Sequence, residues 1–141
     1  MTSRIFFYGL YMDATLLEEM SLRPKTVGVS KLDGYKIQIG ERATLVPAPG
    51  HTSYGVLLDL PAKEASAIYS RPEVDDYRPD TVEAVLLSDD SQHQALCYVL
   101  PKEKLGADTN TEYVYKLATL AGELGLPPEY VQDISHCGDD T

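Results

Sequence analysis

Ile5-Phe6-Phe7-Tyr8-Gly9-Leu10-Tyr11-Met12-Asp13 opens the chain with a continuous apolar run closed by a glycine. That is the pattern of a buried strand. Asp13 is a good helix N-cap, and behind it Leu16, Leu17 and Met20 fall on one helical face, with Glu18 and Glu19 on the other. The stretch therefore reads as a strand, a turn and a helix. A glycine directly after a strand lets the backbone turn sharply and point its N–H groups outward. Such a nest suits a carboxylate. The same turn also serves as a plain strand-to-helix connection, and the residues alone leave both readings open.

Outward from this stretch, Arg23-Pro24 ends the helix. Residues 26–32 alternate as a strand. Asp33-Gly34 is a tight-hairpin signal, followed by the alternating Tyr35, Ile37 and Ile39. Residues 43–46 form a short strand before the loop Pro47-Ala48-Pro49-Gly50. Residues 54–60 are nearly all apolar and read as a central strand. Pro61 opens a short helix over 62–69. Residues 71–79 are irregular and charged. Strands at 81–87 and 93–100 are joined by the polar turn Ser88-Asp89-Asp90-Ser91. A helix over 111–124 carries Val114, Leu117, Ala118, Ala121 and Leu124 on one stripe, and Gly125 stops it. A second, shorter helix starts at Pro127-Pro128 and carries Tyr130, Val131 and Ile134. Strands come first and helices last, with hairpin signals and no internal repeat. The expected class is α+β, with a mostly antiparallel sheet able to curl into a barrel. Residues 1–135 read as one domain and 136–141 as a polar tail.

The 141 residues fit a single domain. A chain of this size buries roughly two-thirds of its unfolded surface, so it needs no metal or disulfide staple. A 43% hydrophobic and 24% charged composition excludes disordered, collagenous and low-complexity classes. With 12 Lys and Arg against 22 Asp and Glu, the net charge is −10. That surface is repelled by phosphate backbones and anionic lipids, which argues against nucleic-acid and membrane partners. Cys97 and Cys137 do not make a disulfide framework and read as reduced thiols. The N-terminus is too poor in apolar residues for a signal peptide, and no apolar run approaches the ~18 residues of a membrane span. The chain reads as a soluble cytoplasmic protein.

The common catalytic signatures are absent. There is no Cys-x-x-Cys, His-Glu-x-x-His or phosphate-loop pattern, and His51, His93 and His136 are scattered, so no metal site is expected. His136-Cys137 are adjacent residues in the tail and are not expected to be held in register. One further segment concentrates reactive groups: Pro72-Glu73-Val74-Asp75-Asp76-Tyr77-Arg78-Pro79. A carboxylate beside apolar residues can have a raised pKa and act as a base. The alternative is a solvated loop whose acid and arginine pair with each other.

Together these motifs resemble the γ-glutamylcyclotransferase (AIG2-like) family along nearly the whole chain, residues 5–134. Tyr8-Gly9-Leu10-Tyr11-Met12 is similar to the family's Tyr-Gly-Ser-Asn-Met, and Leu22-Arg23-Pro24 to its Arg-x-Pro. Leu32-Asp33-Gly34-Tyr35 resembles its Leu-x-Gly-Tyr. Ala43-Thr44-Leu45-Val46-Pro47-Ala48-Pro49-Gly50 resembles its Ala-Thr-Leu-x-Pro-x-Pro-Gly, and Gly55-Val56-Leu57 follows as in the family. Gly125-Leu126-Pro127-Pro128-Glu129-Tyr130-Val131 resembles its Gly-Leu-Pro-x-x-Tyr-Ile. The order and spacing of these motifs carry the resemblance.

The resemblance implies a small mixed β-barrel with flanking helices. It implies release of 5-oxoproline from a γ-glutamyl amine or dipeptide, with no cofactor and no metal. The implied partner is a small molecule bearing a γ-glutamyl or similar amino-acid group. The implied catalytic acid–base is Glu73. The implied substrate-binding residues are Tyr8, Gly9, Leu10, Tyr11, Met12, Tyr77, Arg78, Tyr98 and Tyr113. The chain departs from the family at Leu10 and Tyr11, where Ser and Asn are usual. It departs again at Tyr69-Ser70-Arg71-Pro72-Glu73-Val74, where Leu-Asp-x-x-Glu-Gly is usual and only the Glu remains. Asp75 or Asp76 is the alternative to Glu73, each one methylene shorter. Two functions follow: an active cyclotransferase, or a binding module that keeps the cavity without the chemistry.

Overall fold

The computed structural model describes residues 2–72, 74–106 and 108–137. The opening apolar run forms β1 (Thr2–Phe7), whose Ile5, Phe6 and Phe7 are buried. It lies antiparallel against β3 (Ala43–Pro61), from Thr2↔Pro61 to Phe7↔Val56. β3 also pairs with β2 (Lys25–Ile39). β2 in turn meets β4 (Arg78–Leu86), and β4 pairs antiparallel with β5 (Gln92–Val99). The order β1-β3-β2-β4-β5 closes on itself through one parallel contact, Ile5↔Leu96. The result is a five-stranded mixed barrel in an α+β fold.

Among the described residues four helices flank the barrel: α1 (Ala14–Glu19), α2 (Ala62–Ile68), α3 (Thr111–Glu123) and α4 (Pro128–His136). Asp13 caps α1 as its sequence predicts, accepting from the Thr15 N–H at 3.0 Å. The stripe on α3 buries Val114, Leu117 and Ala121, and α4 buries Tyr130 and Ile134 against the same core. Cys97 is buried in that core, where loss of water pushes its thiol pKa up to about 12. α4 runs through His136, past the point where the sequence reading begins the polar tail. Residues 138–141 of that tail lie outside the described residues.

Two sequence expectations are corrected. Asp33-Gly34 is not a hairpin turn. β2 continues through it with a register shift, and Gly34 spends its positive φ of 86° on the irregularity. Nor is 47–50 a loop between two strands. Pro47 pairs with Tyr35, and the ladder resumes at Thr52↔Asp33, so the segment is an excursion within β3. The true hairpin turn is at residues 40–42, where the Gly40 N–H donates to Arg42 O at 2.9 Å. There the backbone of Leu105 comes so close that a Cβ on Gly40 would meet its carbonyl oxygen.

Candidate functional site

β1 ends at Phe7, and the chain turns at Gly9 into a single 3-10 turn, Leu10–Met12, before Asp13 starts α1. This turn forms one wall of a cavity of about 450 Å³. The opposite wall comes from the segment between α2 and β4, which contributes Tyr69, Arg71, Val74 and Tyr77. Arg42 of the 40–42 turn, Ala43 at the start of β3, Tyr98 of β5 and Tyr113 of α3 complete the enclosure. The volume falls in the range typical of small-molecule pockets.

Tyrosines fix its shape. The Tyr8 hydroxyl donates to Tyr98 O at 2.7 Å, tying the end of β1 to β5. The Tyr77 hydroxyl donates to Ala43 O at 2.6 Å, tying the α2–β4 segment to β3. Tyr69 stacks face to face on Tyr98, with centroids 3.7 Å apart and planes 7° apart. Tyr11 sets its ring edgewise against Phe7 and Tyr69, at 6.5 Å and 6.4 Å. The Tyr113 hydroxyl lies against Gly9, where a Cβ would come within 2.8 Å of it, and it is hydrogen-bonded by the Leu10 backbone.

Burial raises the phenol pKa of Tyr8, Tyr69, Tyr98 and Tyr113, and takes that of Tyr77 to about 12. All five are neutral at physiological pH and do not serve as bases. Arg42 holds Asp76 through two parallel bonds of 2.8 Å and 2.9 Å and lies 5.6 Å from the Tyr77 ring centre. That guanidinium brings the Asp76 pKa down to about 2. Among the described residues, neither a carboxylate nor a histidine lines the cavity.

Of the substrate-binding residues expected from sequence, Tyr8, Gly9, Leu10, Tyr11, Tyr77, Tyr98 and Tyr113 line this one cavity. Met12 does not. It is buried in the core at 1% exposure. Arg78 is exposed, and its Nη1 donates to the carbonyls of Asp75 and Tyr77 at 2.8 Å and 3.0 Å. Glu73 lies outside the described residues. Val74, which follows it, and Arg71, two residues before it, line the cavity. Sequence reasoning passed over Arg42, Tyr69, Leu16 and Met20. Leu16 and Met20 were read as one apolar helix face, and nothing local distinguishes a face that lines a cavity from one that packs on a core.

The sequence matches the profile of the family described as "Gamma-glutamyl cyclotransferase, AIG2-like" over residues 5–117. The chain belongs to this family. A solved structure of a gamma-glutamyl cyclotransferase superposes with a TM-score of 0.77 at 17% identity, over 95% of this chain and 86% of that one. YkqA from Bacillus subtilis gives a TM-score of 0.80 at 22% identity, over 99% of this chain and 55% of YkqA. An AIG2-like protein from Mus musculus gives 0.60 at 14% identity, over 77% and 86%. These likenesses show that the gamma-glutamyl cyclotransferase-like fold is shared. No curated protein is similar enough in sequence to match the chain. Among the described residues, no cluster of His, Cys, Asp and Glu is arranged to hold a metal ion, and no helix is long and apolar enough to cross a membrane.

Proposed function

We propose that this protein cyclises the γ-glutamyl group of a γ-glutamyl amine or dipeptide to 5-oxoproline and releases the amine. In that reaction the substrate's own α-amino nitrogen attacks its γ-carbonyl carbon. A C–N bond forms, the oxygen takes up negative charge, and the original C–N bond breaks as the leaving nitrogen gains a proton. Both reacting groups belong to one molecule, so the protein's tasks are to hold the folded-back conformer, to stabilise the oxyanion and to move one proton. Tyr8, Gly9, Leu10 and Tyr11 hold the glutamyl group, with Tyr77, Tyr98 and Tyr113 closing around it. The α-ammonium gives one proton to solvent before it attacks, and Glu73 takes a second from the attacking nitrogen and delivers it to the leaving nitrogen, so that a neutral lactam N–H and a free amine result.

The single observation that carries this reading is the cavity between the turn after β1 and the segment flanking Glu73. The other titratable groups on or near the cavity support assigning the proton transfer to Glu73. The cavity-lining phenols stay protonated, and Asp76 is a poor proton acceptor because Arg42 holds its pKa near 2. Asp75 is exposed and does not line the cavity.

The test is 5-oxoproline release from a panel of γ-glutamyl compounds by the parent protein and by Glu73→Gln, with thermal shift as the folding control. General acid–base catalysis is typically worth about 10² to 10⁴-fold. We expect kcat to fall at least roughly a hundredfold, while ligand affinity changes by less than about tenfold. Equal rates would remove Glu73 from the mechanism. The replacement of the usual Ser and Asn by Leu10 and Tyr11 favours a second reading, a binding module on the same fold. Ligand binding by the parent without turnover of any member of the panel would establish it.

A further inference from the structure

We propose that Asp76 is a positioning residue for the reaction: from outside the cavity it grips Arg42, and the pair clasps the segment between α2 and β4 so that Glu73 meets the substrate in register. This rests on the cyclotransferase reading above, which gives Glu73 its role.

Two anchors bracket Glu73 along the chain. On its N-terminal side Tyr69 stacks on Tyr98 of β5, with 3.7 Å between ring centroids. On its C-terminal side Asp76 accepts parallel bonds of 2.8 Å and 2.9 Å from Arg42, and the Tyr77 hydroxyl donates to Ala43 O at 2.6 Å. Within the segment the Tyr77 N–H donates to Val74 O at 3.1 Å, and the Val74 N–H donates to Arg71 O at 3.0 Å. These turns carry the placement of Asp76 and Tyr77 back along the backbone to Val74, which lines the cavity and adjoins Glu73 in the chain.

The barrel end of the clasp is itself held in place. Arg42 closes the 40–42 turn, where the Glu41 N–H donates to Leu105 O at 3.0 Å and the Gly40 carbonyl accepts from the Asn110 N–H at 2.8 Å. The Arg42 guanidinium also lies 5.6 Å from the centre of the Tyr77 ring. The Arg42 and Asp76 side chains are 32% and 22% exposed, so salt screens this pair less than an open surface pair. A planar guanidinium that grips both carboxylate oxygens fixes direction as well as distance. A misplacement of about 1 Å can cost roughly 100-fold in rate. Asp76 does not line the cavity, so its effect on turnover passes through position alone.

The experiment measures kcat and KM for 5-oxoproline release from whichever γ-glutamyl compound of the panel the parent turns over fastest. Asp76→Asn, Arg42→Gln and the double variant are compared with the parent, each below its own Tm. We expect Asp76→Asn to lower kcat at least about tenfold while KM changes less than about threefold, because the turn after β1 that holds the glutamyl group is not part of the clasp. The double variant should be no slower than the slower single variant, since both substitutions break the same bonds. A smaller loss in kcat, or a KM that rises as far as kcat falls, would overturn the proposal while leaving the cyclotransferase reading intact. Additive losses would also overturn it, because Arg42 would then act apart from Asp76. Asp76→Glu keeps the charge and lengthens the clasp by one methylene. Should Asp76→Asn fail to fold, a parent-like kcat for Asp76→Glu overturns the proposal, and a lowered kcat at unchanged KM supports it. If the parent turns over no compound of the panel, the cyclotransferase reading itself fails and the proposal falls with it.

Discussion

Thr44 is fully buried, and its hydroxyl serves both backbone groups of one distant residue. Its Oγ1 accepts from the Leu100 N–H at 2.9 Å and donates to Leu100 O at 3.1 Å. The chain just after β5 is thereby pinned to β3, one residue from Ala43, whose carbonyl receives the Tyr77 hydroxyl. Val has the shape of Thr without the hydroxyl. Thr44→Val would leave a buried N–H and a buried C=O without these bonds, each costing about 1–3 kcal/mol. We expect a loss of at least about 2 kcal/mol in urea unfolding. In a protein of this size that is a fall in Tm of roughly 4–8 °C. A Tm unchanged by the substitution would show that the two bonds contribute nothing net.

The hairpin between β2 and β3 shows where sequence patterns stop being informative. Asp33-Gly34 carries a tight-hairpin signal, yet it forms an irregularity within a strand, with Gly34 at positive φ. The turn chosen instead is Gly40-Glu41-Arg42, which carries no strong hairpin signal. What selects it is the chain around Leu105, whose carbonyl accepts from the Glu41 N–H at 3.0 Å and packs against Gly40. That partner lies far along the chain, so no local window contains it. The site divides in the same way. The turn after β1 and Tyr77, Tyr98 and Tyr113 were legible because they sit in or beside ordered motifs. Arg42 was not, because its partner Asp76 is 34 residues away. The start of helix α1 was legible, since its Asp13 cap is local, but the helix ends at Glu19, ahead of the Arg23-Pro24 expected to stop it. A methyl group at Gly40 would have to displace backbone carbonyls rather than a flexible side-chain tip. Gly40→Ala should therefore cost about 1–3 kcal/mol, as overpacking does. The cost should appear as a lower urea midpoint with an unchanged slope. A midpoint equal to the parent's would show that the contact relaxes without cost.

Two bidentate ion pairs couple the stability of the whole molecule to pH. Arg4 grips Asp59 across β1 and β3 at 2.8 Å and 2.9 Å, and Arg42 grips Asp76. Both carboxyl pKa values lie below the ordinary carboxylate range, that of Asp76 near 2. A depressed folded pKa means the unfolded chain takes up protons first. The stabilisation is therefore complete above the ordinary carboxylate pKa of about 4 and is lost as pH falls toward about 2. Asp76→Asn should be less stable than the parent near pH 6, with the difference shrinking across that acid window. Denaturant unfolding at a series of pH values checks this, and a gap that stays constant with pH would rule it out. The topology of the barrel has a consequence in time. Tyr8 and Tyr98 stand 90 residues apart, and the sheet closes only where β1 meets β5 at Ile5 and Leu96. At synthesis rates of about 5–20 residues per second, roughly 5 to 18 s separate the emergence of the two tyrosines from the ribosome. Through that interval β1 can find β3 on one side only, and its other edge waits open. The pocket wall that joins these strands is therefore among the last features the growing chain can assemble.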